Sequence, residues 1–164
     1  LKLFLPKALV VLAAAPFVGV LVSCSSASGT TSSDAVQAGS CVVITDNAAG
    51  AMKATTGDCS SAKATYRIAK VAAAQECAPS DAAFTGTVAD KSTGLCLTPN
   101  FAADTCFADA GTRPAKAVDC STKEATFKVI KRIDGQADEL LCDAPATSFK
   151  TVANPKTTFC LAKP

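Results

Sequence analysis

Two blocks of four cysteines, spaced almost alike, constrain this chain more than any other feature. Cys41, Cys59, Cys77 and Cys96 form the first block and Cys106, Cys120, Cys142 and Cys160 the second, with offsets of 65, 61, 65 and 64 between equivalents. The residues between them repeat as well. Asp58-Cys59-Ser60-Ser61-Ala62-Lys63-Ala64-Thr65-Tyr66-Arg67-Ile68 returns as Asp119-Cys120-Ser121-Thr122-Lys123-Glu124-Ala125-Thr126-Phe127-Lys128-Val129. Phe84 and Phe149 each stand seven positions after a matched cysteine, and both copies close on Cys-Leu, at Cys96-Leu97 and Cys160-Leu161. Self-similarity of this kind marks one supersecondary unit used twice. Length differences fall between the matched points: the second copy is four residues shorter before Cys120 and four longer before Cys142, around the turn-like Asp134-Gly135-Gln136-Ala137.

Within each copy the pattern is β. Tyr66 and Ile68 alternate with Arg67 and Ala69, as Phe127 and Val129 alternate with Lys128 and Ile130, and a period of two with aromatic and branched residues predicts a half-buried strand. Shorter strands are expected at Cys41 to Thr45, around Phe84 to Val88 and at Leu95 to Thr98, with counterparts in the second copy. The alanine-rich stretches Val71 to Ala74 and Ala102 to Asp104 leave a helix open in each unit. The fold expected is mainly β, or small α+β, as two tandem disulfide-stabilised domains. Copies this small bury a thin core, which disulfides commonly reinforce. Four cysteines allow three connectivities. If the strand beginning at Ala64 runs up, Cys59 lies at its lower end and Cys77 at its upper end. The next two strands then bring Cys96 back to Cys77, which leaves Cys59 for Cys41. The same directions lean toward Cys106 with Cys120 and Cys142 with Cys160.

Upstream, Lys2 and Lys7 precede an apolar run from Ala8 to Val22, interrupted by Pro16 and Gly19 and followed by Leu21-Val22-Ser23-Cys24. The run is shorter than the ~20 residues a spanning helix needs, so it reads as a processed export signal. Parity agrees: the chain has nine cysteines, and setting Cys24 aside for lipid leaves eight to pair in an oxidising compartment. From Cys24 onward the small polar text Ser-Ser-Ala-Ser-Gly-Thr-Thr-Ser-Ser predicts a flexible tether. The expected organisation is a signal peptide at 1–23, a tether at 24–38, and repeat domains at 39–98 and 99–164.

Charge excludes some partners. The chain carries 16 basic and 14 acidic residues, and removing Lys2 and Lys7 leaves 14 of each. No basic patch points to nucleic acid. Chemistry is equally sparse. The sequence contains no histidine, which removes the commonest general acid-base group and any Ser-His or Cys-His pair. Without histidine or a Cys-x-x-Cys there is no expectation of a bound metal or other cofactor. Ser60-Ser61-Ala62-Lys63 matches the Ser-x-x-Lys of penicillin-recognising enzymes, but its companion motifs are missing and the second copy reads Ser121-Thr122-Lys123-Glu124. Asp58 and Asp119 are expected to cap turns, and Asp104 is the only ionisable residue between Thr98 and Thr105. The pairs Tyr66 with Phe127 and Phe84 with Phe149 are expected in the core, with a pocket lining as the rival role.

Leu-Val-Ser-Cys24, the Ser/Thr-rich tether and the tandem Cys…Asp-Cys-Ser…Ala-Thr-(Tyr/Phe)…Cys…Phe…Cys-Leu pattern together resemble the LppU-type lipoproteins of mycobacteria and related actinobacteria. The likeness runs from about Gly39 to Leu161 of the mature part. It implies a cell-envelope lipoprotein, diacylated on Cys24 and displayed on the outer face of the plasma membrane. It carries no catalytic residues across. The function expected is a non-catalytic binding or scaffolding module with an envelope protein as one possible partner. The rivals are a small enzyme or accessory subunit acting on envelope polymers, and an extracytoplasmic ligand sensor.

Overall fold

Alternating apolar and polar side chains make strands that bury one face, and each repeat supplies five of them. The computed structural model describes residues 36–164. The first repeat forms β1 (Cys41–Asp46), β2 (Met52–Gly57), β3 (Tyr66–Val71), β4 (Ala82–Val88) and β5 (Lys91–Pro99). The second forms β6 (Cys106–Ala110), β7 (Arg113–Val118), β8 (Phe127–Asp134), β9 (Ser148–Ala153) and β10 (Lys156–Ala162). The fold is therefore almost wholly β. Among the described residues the helical pieces are single 3-10 turns at Ala74–Glu76 and Glu139–Leu141. Neither alanine-rich stretch makes an α-helix: Val71 ends β3, and residues 102–104 bend through Asp104 at φ 60°. Runs this short do not offset the cost of helix nucleation.

The two sheets share a strand order but differ at one seam. In the first, β2-β1-β3-β5-β4 curls round until β2 meets β4, closing a barrel. Every pairing is antiparallel except that seam, where Met52, Lys53 and Ala54 run parallel to Gly86, Thr87 and Val88. In the second, the order β7-β6-β8-β10-β9 stays open, with β7 and β9 as its edges. Gly86 accounts for the closure. A Cβ at that position would collide with the carbonyl oxygen of Met52, so β2 comes this close only to a bare backbone. Gly86 faces Thr93, three positions before Cys96; the residue facing Thr157, three before Cys160, is Val152. β9 has no glycine to admit a neighbour in the same way.

Four disulfides link Cys41 to Cys59, Cys77 to Cys96, Cys106 to Cys120 and Cys142 to Cys160, each within one repeat. They close loops of 18, 19, 14 and 18 residues. A loop of this size is worth about 3 kcal/mol in the chain-entropy picture.

A single apolar cluster runs through both sheets. Val42, Ile44, Ile68, Phe84, Leu95 and Leu97 fill the first, and Phe107, Val129 and Phe159 face inward from the second. Phe101, on the connection between the repeats, sits at the centre. Its ring lies 5.3 Å from Tyr66, 4.3 Å from Phe107, 5.9 Å from Phe127 and 5.3 Å from Phe159. Beside it Asn100 is buried, donating from Nδ2 to the carbonyls of Ala64 (2.8 Å) and Cys59 (3.0 Å). Its Oδ1 accepts from Arg132 at 3.2 Å, so one side chain ties both repeats to the connection. Val36, placed within the tether by its sequence, packs partly buried against the same cluster.

Candidate functional site

Most residues singled out by the sequence have local structural work. The Oδ1 of Asp58 accepts from the backbone N–H and the hydroxyl of Ser60, and Asp119 does the same with Ser121, all at 2.8 Å. These bonds hold both carboxyls below their ordinary pKa. Both are turn caps, as expected of such positions. Ser60 and Ser61 serve the same turn, the hydroxyl of Ser61 accepting from the N–H of Lys63, which leaves the Ser-x-x-Lys match without a nucleophile-base arrangement. Asp104 pairs with Lys128 at 3.4 Å on the surface. Cys24 lies outside the described residues. No group of three His, Cys, Asp or Glu side chains among the described residues is placed to hold a metal ion.

A cavity of about 670 Å³ opens where the inner face of the second sheet meets the first repeat. Its apolar wall comes from Tyr66, Phe101, Phe127 and Leu161, with Phe149 of the edge strand β9 at its margin, and its polar wall includes Asp81, Asp109, Arg113, Ser148 and Lys150. Tyr66, Phe127 and Phe149 thus border it, while Tyr66 and Phe84 both belong to the buried core, as expected of them, and Phe127 packs against it. Phe149 is 45% exposed whereas Phe84 is fully buried. The cause is register. Phe84 faces Leu95, while Phe149 faces Cys160, whose counterpart Cys96 faces Ala83. A slip of one residue moves a side chain to the other face of its strand.

The same slip and two replacements put charged residues where the first repeat has core. Counting from Cys41 and Cys106, Asp109 corresponds to Ile44; counting back from Cys59 and Cys120, Arg113 corresponds to Met52. Lys150 faces Phe159 where Phe84 faces Leu95. Ile44, Met52 and Phe84 are all buried in the closed barrel, so three core positions of the first copy have charged counterparts on the cavity wall of the second.

Hydrogen bonds across the repeats fix the cavity floor. The N–H of Ala115 donates to the Tyr66 hydroxyl at 2.8 Å. Arg113 donates to the carbonyl of Asn47, and the Asn47 amide donates to the carbonyl of Pro114 at 3.3 Å. Burial, with a smaller contribution from the nearby Asp109 carboxylate, pushes the Tyr66 phenol well above its ordinary pKa. The Tyr66 side chain therefore stays protonated and able to donate.

Asp81, Asp109, Arg113 and Lys150 escape a search for motifs because they belong to none. A position-by-position comparison of the repeats contains the signal at Asp109 and Arg113, where an apolar core residue in one copy meets a charge in the other. Lys150 has no such signal, since sequence counting aligns Phe149 with Phe84 and only the observed pairing reveals the slip. No protein-family model matches the chain, and no curated protein or solved structure is significantly similar to it.

Proposed function

We propose that the mature protein is a cell-envelope lipoprotein, held by a diacyl group on Cys24 at the outer face of the plasma membrane, and that its paired repeats form a non-catalytic binding module. The cavity between the repeats is its ligand site. The observation that supports this reading is the exchange of three buried apolar positions, Ile44, Met52 and Phe84, for the cavity-lining Asp109, Arg113 and Lys150. In the open second sheet Asp109 and Lys150 are exposed and Arg113 is half-buried, so their charges stay within reach of a ligand that enters the cavity. At about 670 Å³ the cavity falls within the range of small-molecule sites, which combine apolar walls with a few polar groups. A binding role suits these groups better than catalysis. The chain has no histidine, and the two carboxylates on the wall already accept from neighbours, Asp81 from Thr98 and Asp109 from Gly111.

The full-length lipoprotein, extracted from membranes in mild detergent, provides the test. Native mass spectrometry should show a bound small molecule, and Ser148→Trp, which fills the cavity from an exposed edge position, should remove it. Cys24→Ala should release the protein from the membrane. A protein that carries no small molecule, or one whose adduct is indifferent to Ser148→Trp, would remove the basis for this reading.

A further inference from the structure

The cavity has a chemical bias that its formal charge count hides. Each carboxylate on its wall accepts one hydrogen bond on one oxygen and keeps its charge, Asp81 from the Thr98 hydroxyl at 3.2 Å and Asp109 from the Gly111 N–H at 3.1 Å. The donors are less committed. Lys150 Nζ makes no hydrogen bond or ion pair among the described residues, and Arg113 spends one guanidinium nitrogen on the Asn47 carbonyl while keeping others that its planar fork offers. Tyr66, 3% exposed, receives the Ala115 N–H on its oxygen, and its own hydroxyl proton has no acceptor among the described residues. Three donors, two of them cationic and one built into the core, therefore border the same space as three apolar side chains, Phe101, Phe127 and Leu161.

Resting on the binding-module reading, we infer that the cavity takes an amphiphilic anion. Its carboxylate, phosphate or sulfonate head meets Arg113, Lys150 and the Tyr66 hydroxyl, and its apolar body lies against the aromatic wall. Charge-assisted hydrogen bonds to an anion are about twice as strong as neutral ones, and the apolar wall removes the body from water. Inorganic phosphate lacks that body and is expected to bind weakly.

Two fluorescent probes that share a ring system separate the terms: anilinonaphthalene sulfonate, an anion, and phenylnaphthylamine, its uncharged relative. The wild-type protein should bind the sulfonate at least about tenfold more tightly than the neutral probe, a difference of about 1.4 kcal/mol. Arg113→Met and Lys150→Gln should each narrow that gap and together abolish it, leaving the neutral probe unaffected. Oleate or lysophosphatidate should displace the sulfonate, the stronger competitor identifying the preferred head, whereas inorganic phosphate should not. Equal affinity for the two probes, an unchanged gap in the double variant, or displacement by inorganic phosphate alone would overturn the anion inference while leaving a binding site in place. Absence of saturable binding by either probe would overturn both. Intact mass with all four disulfides and an unchanged circular dichroism spectrum establish that each variant is folded.

Discussion

The backbone N–H of Ala115 donates to the phenolic oxygen of Tyr66 across 2.8 Å, a bond from β7 of the second repeat to β3 of the first. Tyr66→Phe leaves that buried N–H without a partner. The expected cost is about 1–3 kcal/mol, read as a lower midpoint in urea unfolding with an unchanged slope. A variant as stable as the wild type would mean that the bond contributes nothing net.

The same side chain predicts an alkaline limit. The folded phenol holds its proton more tightly than the unfolded one, whose ordinary pKa is 10.0. Above that pH the unfolded state loses a proton that the folded state retains, so stability falls as pH rises; below it, Tyr66 contributes no pH dependence. Tyr66 is the only tyrosine in the chain, so the phenolate absorbance reports it alone. The phenolate should appear together with unfolding, and the fall in stability from about pH 9 to pH 11 should be shallower in Tyr66→Phe.

Gly86 is the hinge of the difference between the two sheets. Gly86→Ala places a methyl group against the Met52 carbonyl and should force β2 away from β4, at a cost of about 1–3 kcal/mol. Hydrogen exchange would show the amides of the β2–β4 seam losing protection while those between β4 and β5 keep theirs. Uniform protection in the variant would mean that the seam tolerates the methyl group.

Asn100 carries more of the junction than its size suggests. Asn100→Ala removes two donated bonds and one accepted from Arg132, leaving the Ala64 carbonyl buried, and should cost about 2–3 kcal/mol. Arg132→Ala also removes bonds to the Phe101 carbonyl and Asp134, but Arg132 is only half-buried and water can replace part of what is lost, so it should cost less. A double-mutant cycle by chemical denaturation should return a coupling of about 0.5 kcal/mol or more. A coupling near zero would place the two residues in independent roles.

Much of the architecture is legible in the sequence, for a physical reason: cysteine spacing and strand alternation are local signals repeated twice. The strands around Tyr66 and Phe127 are cases in point, and so are the turns capped by Asp58 and Asp119. The cavity is different. It depends on Lys150 facing Phe159 in place of a counterpart to Phe84, and that follows from a one-residue shift in pairing between β9 and β10. Pairing register is a long-range property, settled by which neighbours a strand finds, and no spacing within Ser148–Ala153 announces it. The closed seam is hidden likewise, because the importance of Gly86 appears only once β2 lies beside it.

Phe101 gives the duplication a further meaning. The segment that joins the repeats places its ring among side chains from both, so the residue that separates the copies in the text is the one they have in common in space. The unit that was copied and the unit that folds are therefore not the same. Severed before Phe101, the first half would present an unfilled hollow beside Tyr66. Inheritance here runs in halves, but the packed interior belongs to the whole, and the second copy's departures from the first persist beside that shared interior.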